Sequence, residues 1–201
     1  MLKKILWVLF GFFSITIGLY PFAYLFPTGI QESGLLQTKS IEILSHSMWQ
    51  LGFNLHIFCG GFALLIGWLQ FVPSLRKKYL NVHRTIGQAY VILVFLSGVS
   101  AGYIVMNASG GDSAFWGFAA LAIVWLATTL IAYLAILKGN INKHQNFMIL
   151  SYAACWGAVT LRIWLPLLTV YFGDFNKAYD IVAWLSWVPN LLIGLWIIKI
   201  K

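Results

Sequence analysis

Charge is what this sequence has least of. Only 9% of its 201 residues are Asp, Glu, Lys or Arg, where a soluble domain carries about 25%. A water-facing surface cannot be built from so few charges, so most of the surface must face lipid. Acids are the scarcest, five against thirteen Lys and Arg, for a net charge of +8. In a soluble protein that excess suggests nucleic acid. Here the basic residues are scattered through short loops and form no stripe, so nucleic acid is not an expected partner. Cysteine is nearly missing: Cys59 and Cys155 both lie inside long apolar runs. That excludes a disulfide framework and fits two small buried side chains. Iron–sulfur, P-loop, Rossmann and serine-hydrolase signatures are missing, as are a soluble domain, a low-complexity tract and a clear repeat.

What is present is apolar length. A spanning helix needs about 20 apolar residues. Six runs qualify: Ile5–Phe26, Trp49–Val72, Thr85–Met106, Ala114–Leu137, Phe147–Tyr171 and Ile181–Ile198. The reading is an all-α bundle of six transmembrane helices, one polytopic domain over residues 1–201. The first run follows Lys3-Lys4 as a signal peptide would, but it exceeds the usual 7–15 apolar residues of one and is read as a retained helix. The last run is short, and Pro189 predicts a kink in it. Between the first two runs, Pro27–Met48 is too apolar for a disordered linker and predicts a short interfacial helix.

Loop charges set the orientation. With the first residues in the cytoplasm, the inner side holds Lys3, Lys4, Arg76, Lys77, Lys78, Arg84, Lys138, Lys143, Lys199 and Lys201. The outer side holds Lys39 and Lys177. This is the positive-inside pattern, with both termini cytoplasmic, and it points to the cytoplasmic membrane of a bacterium. Aromatic belts at helix ends are read at Trp49, Tyr103, Trp116 and Tyr171. Trp125, in the middle of the fourth run, reads as core packing.

Ionisable residues at membrane depth are functional candidates by default. Here they are His56, His83, His144 and Arg162. On the second run His56, Gly60, Ala63, Gly67 and Gln70 recur at helical steps and share one face. His144, Met148, Ser151, Cys155, Ala158 and Arg162 do the same on the fifth, as do His83, Gly87, Tyr90, Ser97 and Ala101 on the third. Small and polar residues mark the packed side of a membrane helix. At 1.5 Å per residue, His56 and Arg162 both lie about 27 Å from the inner boundary. His83 and His144 stand at that boundary, near Gln70, Gln88 and Arg84. Histidine is the commonest metal ligand, and a histidine pair is one way to hold haem. His83 and His144 are therefore candidate ligands of a metal ion or of haem b, with Arg76, Arg84 and Lys143 for the propionates. The plainer readings are histidines bonded to loop backbone and arginines on lipid phosphate.

Several motifs occur in order. His56-x3-Gly60, Gly67-x2-Gln70-Phe71 and Arg76 are followed by His83-Arg84-x2-Gly87-x2-Tyr90, Trp125-x2-Thr128-Thr129, and His144-x3-Met148 with Arg162. Together, over about residues 51–164, they resemble a bacterial family of predicted membrane proteins catalogued as domain of unknown function 2306, which brings no established activity. Gln145-Asn146-Phe147 stands where that family would lead one to expect a more basic, Trp-containing stretch. A looser likeness is to two-haem b-type membrane cytochromes, which carry four haem ligands. A second haem here would need His46 from the outer loop, so one haem or none fits better. The functional expectation is a membrane protein with an intramembrane histidine site for haem or a metal, passing electrons between a quinone and a redox partner. The alternatives are a small-solute transporter and an accessory protein without chemistry.

Overall fold

The computed structural model describes residues 2–25 and 34–201. All regular structure among them is helical, and six helices are long and apolar enough to cross a membrane. Span 1 is Lys4–Leu25, span 2 Ser47–Phe71, span 3 Leu80–Asn107, span 4 Asp112–Leu137, span 5 Ile141–Phe172 and span 6 Phe175–Ile200. Helices suit hydrocarbon because they satisfy their own backbone polar groups. Large apolar side chains such as Ile92, Ile123, Leu192 and Trp196 stay exposed on the outside of the bundle, where lipid would cover them.

Spans 3 and 5 start several residues before the apolar runs do. Residues 80–84 and 141–146 are too polar for hydrocarbon but continue the helices beyond it. Span 6 also begins earlier than Ile181, and the cause is local. Gly173 takes φ +64° and ends span 5, a conformation that costs glycine least. Asp174 then caps the next helix, accepting from the backbone N–H of Asn176 at 2.8 Å and of Lys177 at 3.2 Å. That helix stops at Leu185 and a new one starts at Val188, with Pro189 in its first turn. Proline is tolerated there because first-turn N–H groups have no helical partner. Span 5 is likewise divided, at Trp156.

Neighbours around the centre are spans 2 and 3, 3 and 4, 4 and 5, and 5 and 2, which sets spans 3 and 5 at opposite corners. Span 1 lies against spans 2 and 5, and span 6 against spans 4 and 5. The core is Ala63, Leu64, Tyr90, Val94, Trp125, Tyr152, Cys155 and Val159. Trp125 belongs to it. Trp49 does not join the aromatic belt expected of it: it is buried and stacks on Phe53 with ring centroids 5.2 Å apart. Leu36 from the loop covers the pair.

That loop carries two short helices, Gly34–Gln37 and Ile41–Ser45; residues 27–33 of it lie outside the described residues. It is strapped to the turn between spans 3 and 4. The Lys39 ammonium donates to Asn107 O and, at 2.8 Å, to Ser109 Oγ, while Thr38 Oγ1 lies 2.5 Å from the same hydroxyl. Burial pushes the Lys39 ammonium down to about 8. An unfolded lysine titrates near about 10.4, so between those values the unfolded chain holds more protons. Stability must then rise as pH is raised through that window. Lys39 is partly exposed, and solvent screening keeps the gain small. Melting followed from about pH 7 to about pH 10 should favour wild type over Lys39→Met by roughly 2 °C. Parallel curves for the two proteins would remove the argument.

Candidate functional site

The polar seam runs along the inside of spans 2, 3 and 5. On span 2, a Cβ on Gly60 would stand 2.9 Å from Ser97 Oγ and 4.0 Å from the Trp125 ring. Ala63 is fully buried. Gly67 meets the rings of Tyr152 and Tyr90, and the side-chain Oε1 of Gln70 lies 3.5 Å from where Gly87 would carry a Cβ. This face of span 2 therefore packs on protein.

At the basic end, His83 and His144 are each the fourth residue of a helix, Leu80–Ile104 and Ile141–Cys155. They belong to the two corner-opposed spans, which run in the same direction. His83 lies within electrostatic reach of His144, Arg76 and Arg84. His144 Nδ1 is 3.0 Å from Ala132 O. A carbonyl only accepts, so Nδ1 carries the proton and Nε2 keeps its lone pair free. His83 Nδ1 and Gln70 Nε2 are buried with no partner among the described residues. Arg84 and Gln88 are exposed at the rim, and the Lys143 ammonium sits 5.9 Å over the Phe147 ring. No group of three His, Cys, Asp or Glu able to hold a metal occurs among the described residues. A bare divalent cation would find two imidazoles, no carboxylate and several positive charges. This set of donors suits a ligand that brings negative charge. A shallow hollow lies at Lys138–Asn142, and a lipid-side groove passes Gly98, Gly102 and Leu126. Neither reaches the histidines.

The middle of the seam is closed. Trp125 Nε1 donates to Tyr90 Oη at 3.3 Å, and Thr129 Oγ1 donates to Trp125 O at 2.7 Å. Ser151 Oγ stands between, 2.8 Å from Tyr90 Oη and 2.6 Å from Thr129 Oγ1. Because Thr129 has committed its proton, Ser151 must donate to Thr129, and Tyr90 must then donate to Ser151. The bonds form a ring that starts and ends on Trp125, with each hydroxyl direction fixed. Beside it the Tyr152 hydroxyl lies 2.8 Å from Leu64 O and 3.0 Å from Ser14 Oγ, which also accepts from Trp156 Nε1 at 3.1 Å. Ser14 and its partners escaped the sequence reading. A serine in an apolar run looks incidental, and its spacing shows nothing of span 5.

In the other half, His56 Nδ1 lies 3.1 Å from Ser97 O, and Ser97 Oγ donates to His56 O at 2.9 Å. The His56 Nε2 lone pair is therefore also free. Arg162 lies within electrostatic reach of His56. Its Nη1 donates to Ala158 O at 3.0 Å, and its guanidinium stacks over Tyr20, 4.5 Å from the ring centroid. His46 is exposed at the N-cap position of span 2, ten residues and about 15 Å of helix from His56.

Six spanning helices around an internal polar seam define a polytopic α-helical membrane protein. The sequence model of one such family, described as "Predicted membrane protein (DUF2306)", matches residues 53–198, and the chain belongs to that family. A shorter similarity is to the Ava biosynthesis cluster protein G of Aspergillus versicolor, 39% identical over 46 residues. The aligned stretch is 23% of this chain and 14% of that protein. No solved structure matches the chain.

Proposed function

We propose that the basic end of the bundle holds one haem b between His83 and His144, making the protein an electron-transfer unit of the membrane. The observation that carries this is the placement of the two imidazoles. They stand at one end of two parallel, corner-opposed helices, each with a ring nitrogen free of protein partners. The second nitrogen of His144 is anchored on a backbone carbonyl, the arrangement that fixes a ligating histidine. Arg76, Arg84 and Lys143 supply positive charge for the propionates, and helix N-termini favour negative charge nearby. Entry requires the ends of spans 3 and 5 to part. The closed Trp125–Tyr90–Ser151–Thr129 ring supports a fixed group over a solute path through the same seam. By the positive-inside rule the basic end faces the cytoplasm, and the membrane is the cytoplasmic one of a bacterium.

The test is an absorption spectrum of protein purified after expression with haem supplied. A Soret band that shifts on reduction is expected, lost in both His83→Ala and His144→Ala and kept in His46→Ala. Wild-type protein without that band would remove the redox reading. Bound metal without haem, found by elemental analysis, would replace it with a metal site.

A further inference from the structure

Spans 5 and 6 are both broken, and their breaks touch. Span 5 divides at Trp156, between Ile141–Cys155 and Gly157–Phe172. Span 6 divides at Ser186 and Trp187, between Phe175–Leu185 and Val188–Ile200. A Cβ on Gly157 would stand 3.3 Å from Trp187 Cβ and 3.5 Å from Ser186 O. Ser186 is eleven residues beyond the start of span 6 at Phe175. That is about 16 Å of helix, near the middle of a hydrocarbon layer about 30 Å thick. Helices interrupted at this depth release carbonyls that an unbroken helix keeps for itself, and their half-helix C-terminal ends are a recurring cation site.

Oxygens gather where the breaks meet. Thr160 Oγ1 is bonded to Ser186 O and lies 3.2 Å from Gly157 O and 3.3 Å from Trp156 O. A hydroxyl has one proton for these three carbonyls. Trp156 O and Ser186 O each end a half-helix, where the dipole leaves partial negative charge. Asn190 Nδ2 bridges the two spans, 3.1 Å from Thr160 Oγ1 and 2.9 Å from Ser186 O. A half-turn of that amide puts Oδ1 in the same place. Ser186 also carries a fully buried hydroxyl with no partner among the described residues, a costly group to leave unpaired. No charged side chain takes part in these bonds. Neutral oxygens cannot neutralise a divalent ion, which draws on carboxylates. They suit a hard monovalent cation, and oxygens this closely spaced suit a small one.

We infer that Thr160, Ser186 and Asn190, with the carbonyls of Trp156 and Ser186, bind a sodium ion where the two helix breaks meet. The amide of Asn190 turns over to present its oxygen, and the Ser186 hydroxyl gains a partner. The site is independent of the histidine pair at the basic end.

The test melts the whole protein in mild detergent at constant chloride while choline is exchanged for sodium or potassium. The wild-type melting temperature should rise along a saturable curve in sodium, and less in potassium. The rise should reach roughly 3–6 °C at about ten times the midpoint concentration. Thr160→Val should move that midpoint up by about tenfold or more, and Thr160→Ser, which keeps the hydroxyl, should restore it. Ser186→Ala separates a ligand from a merely structural hydroxyl. In choline it should melt at or above wild type, because an unpaired buried hydroxyl is gone. In sodium it should melt below wild type. If Thr160→Val is not recovered folded, that crossing decides alone. Wild type melting alike in all three salts overturns the inference. So does a sodium midpoint unmoved in Thr160→Val, or Ser186→Ala ranking the same against wild type in sodium and in choline.

Discussion

Gly67→Leu should leave no folded protein to purify. Even the first added carbon of any larger residue collides with Tyr152 Cε2, and it stands 2.8 Å from Tyr152 Cδ2 and 2.9 Å from Tyr90 Cε2. Neither ring can swing aside cheaply. Tyr152 is tied through its hydroxyl to Leu64 O and Ser14, and is wedged between Phe10 and Phe71 at centroid distances of 5.5 and 5.3 Å. Tyr90 is locked in the Trp125 ring of hydrogen bonds. Overpacking costs about 1–3 kcal/mol, and each buried hydroxyl torn from its partners adds about as much. A total of about 4 kcal/mol or more is a large share of a marginal stability of about 5–15 kcal/mol. Gly67→Ala should fold with a melting temperature lowered by roughly 4–8 °C. The check is the size-exclusion profile in mild detergent together with a melting curve. A monodisperse, wild-type-like Gly67→Leu would show that the seam has room the structure denies.

Gly61→Leu should detach span 1 while sparing the rest. Here the obstacle is backbone: a Cβ on Gly61 would lie 2.7 Å from Gly18 O and 2.7 Å from Pro21 Cγ. The reverse contact is equally close, with Gly18 meeting Gly61 O at 2.9 Å. A carbonyl in a helix cannot rotate away, so the two helices must separate. Separation also strands Ser14, whose hydroxyl accepts from Trp156 and Tyr152. Hydrogen exchange should then speed up on the order of tenfold or more in peptides from span 1. Peptides from spans 3 and 4, which do not rest on span 1, should keep their protection. Wild-type protection in span 1 would defeat the prediction.

Much of this architecture was legible because lipid imposes one rule on length. The six apolar runs became six spans, and the small-polar face of span 2 from Gly60 to Gln70 packs inward, since a polar group has no partner in hydrocarbon. The boundaries were harder to read. Residues 80–84 and 141–146 extend their helices into the interface, where hydropathy no longer reports helicity. Gly173-Asp174 did carry the signal for the early start of span 6, in the form of a cap rather than an apolar count. Trp49 misled because a tryptophan near a helix end reads as belt, whereas the loop residue Leu36 folds over it and buries it. For the site, His83 and His144 share an end of the bundle, as their matching positions in the sequence imply. The anchors that fix their rings, such as Ala132 O, are backbone atoms that no side-chain pattern reveals. The same is true of Ser97 O on His56 and Ala158 O on Arg162.

Asp180 in span 6 accepts from the backbone N–H groups of Gly111 at 2.8 Å and Ala114 at 3.1 Å, and so finishes the first turn of span 4. Asp180 and Ala114 are 66 residues apart. A ribosome adding about 5–20 residues per second needs roughly 3–13 seconds to make that interval. Span 4 thus enters the bilayer with its leading turn open to water, and span 6, synthesised later, closes it. The order of synthesis makes span 6 the latch of the bundle.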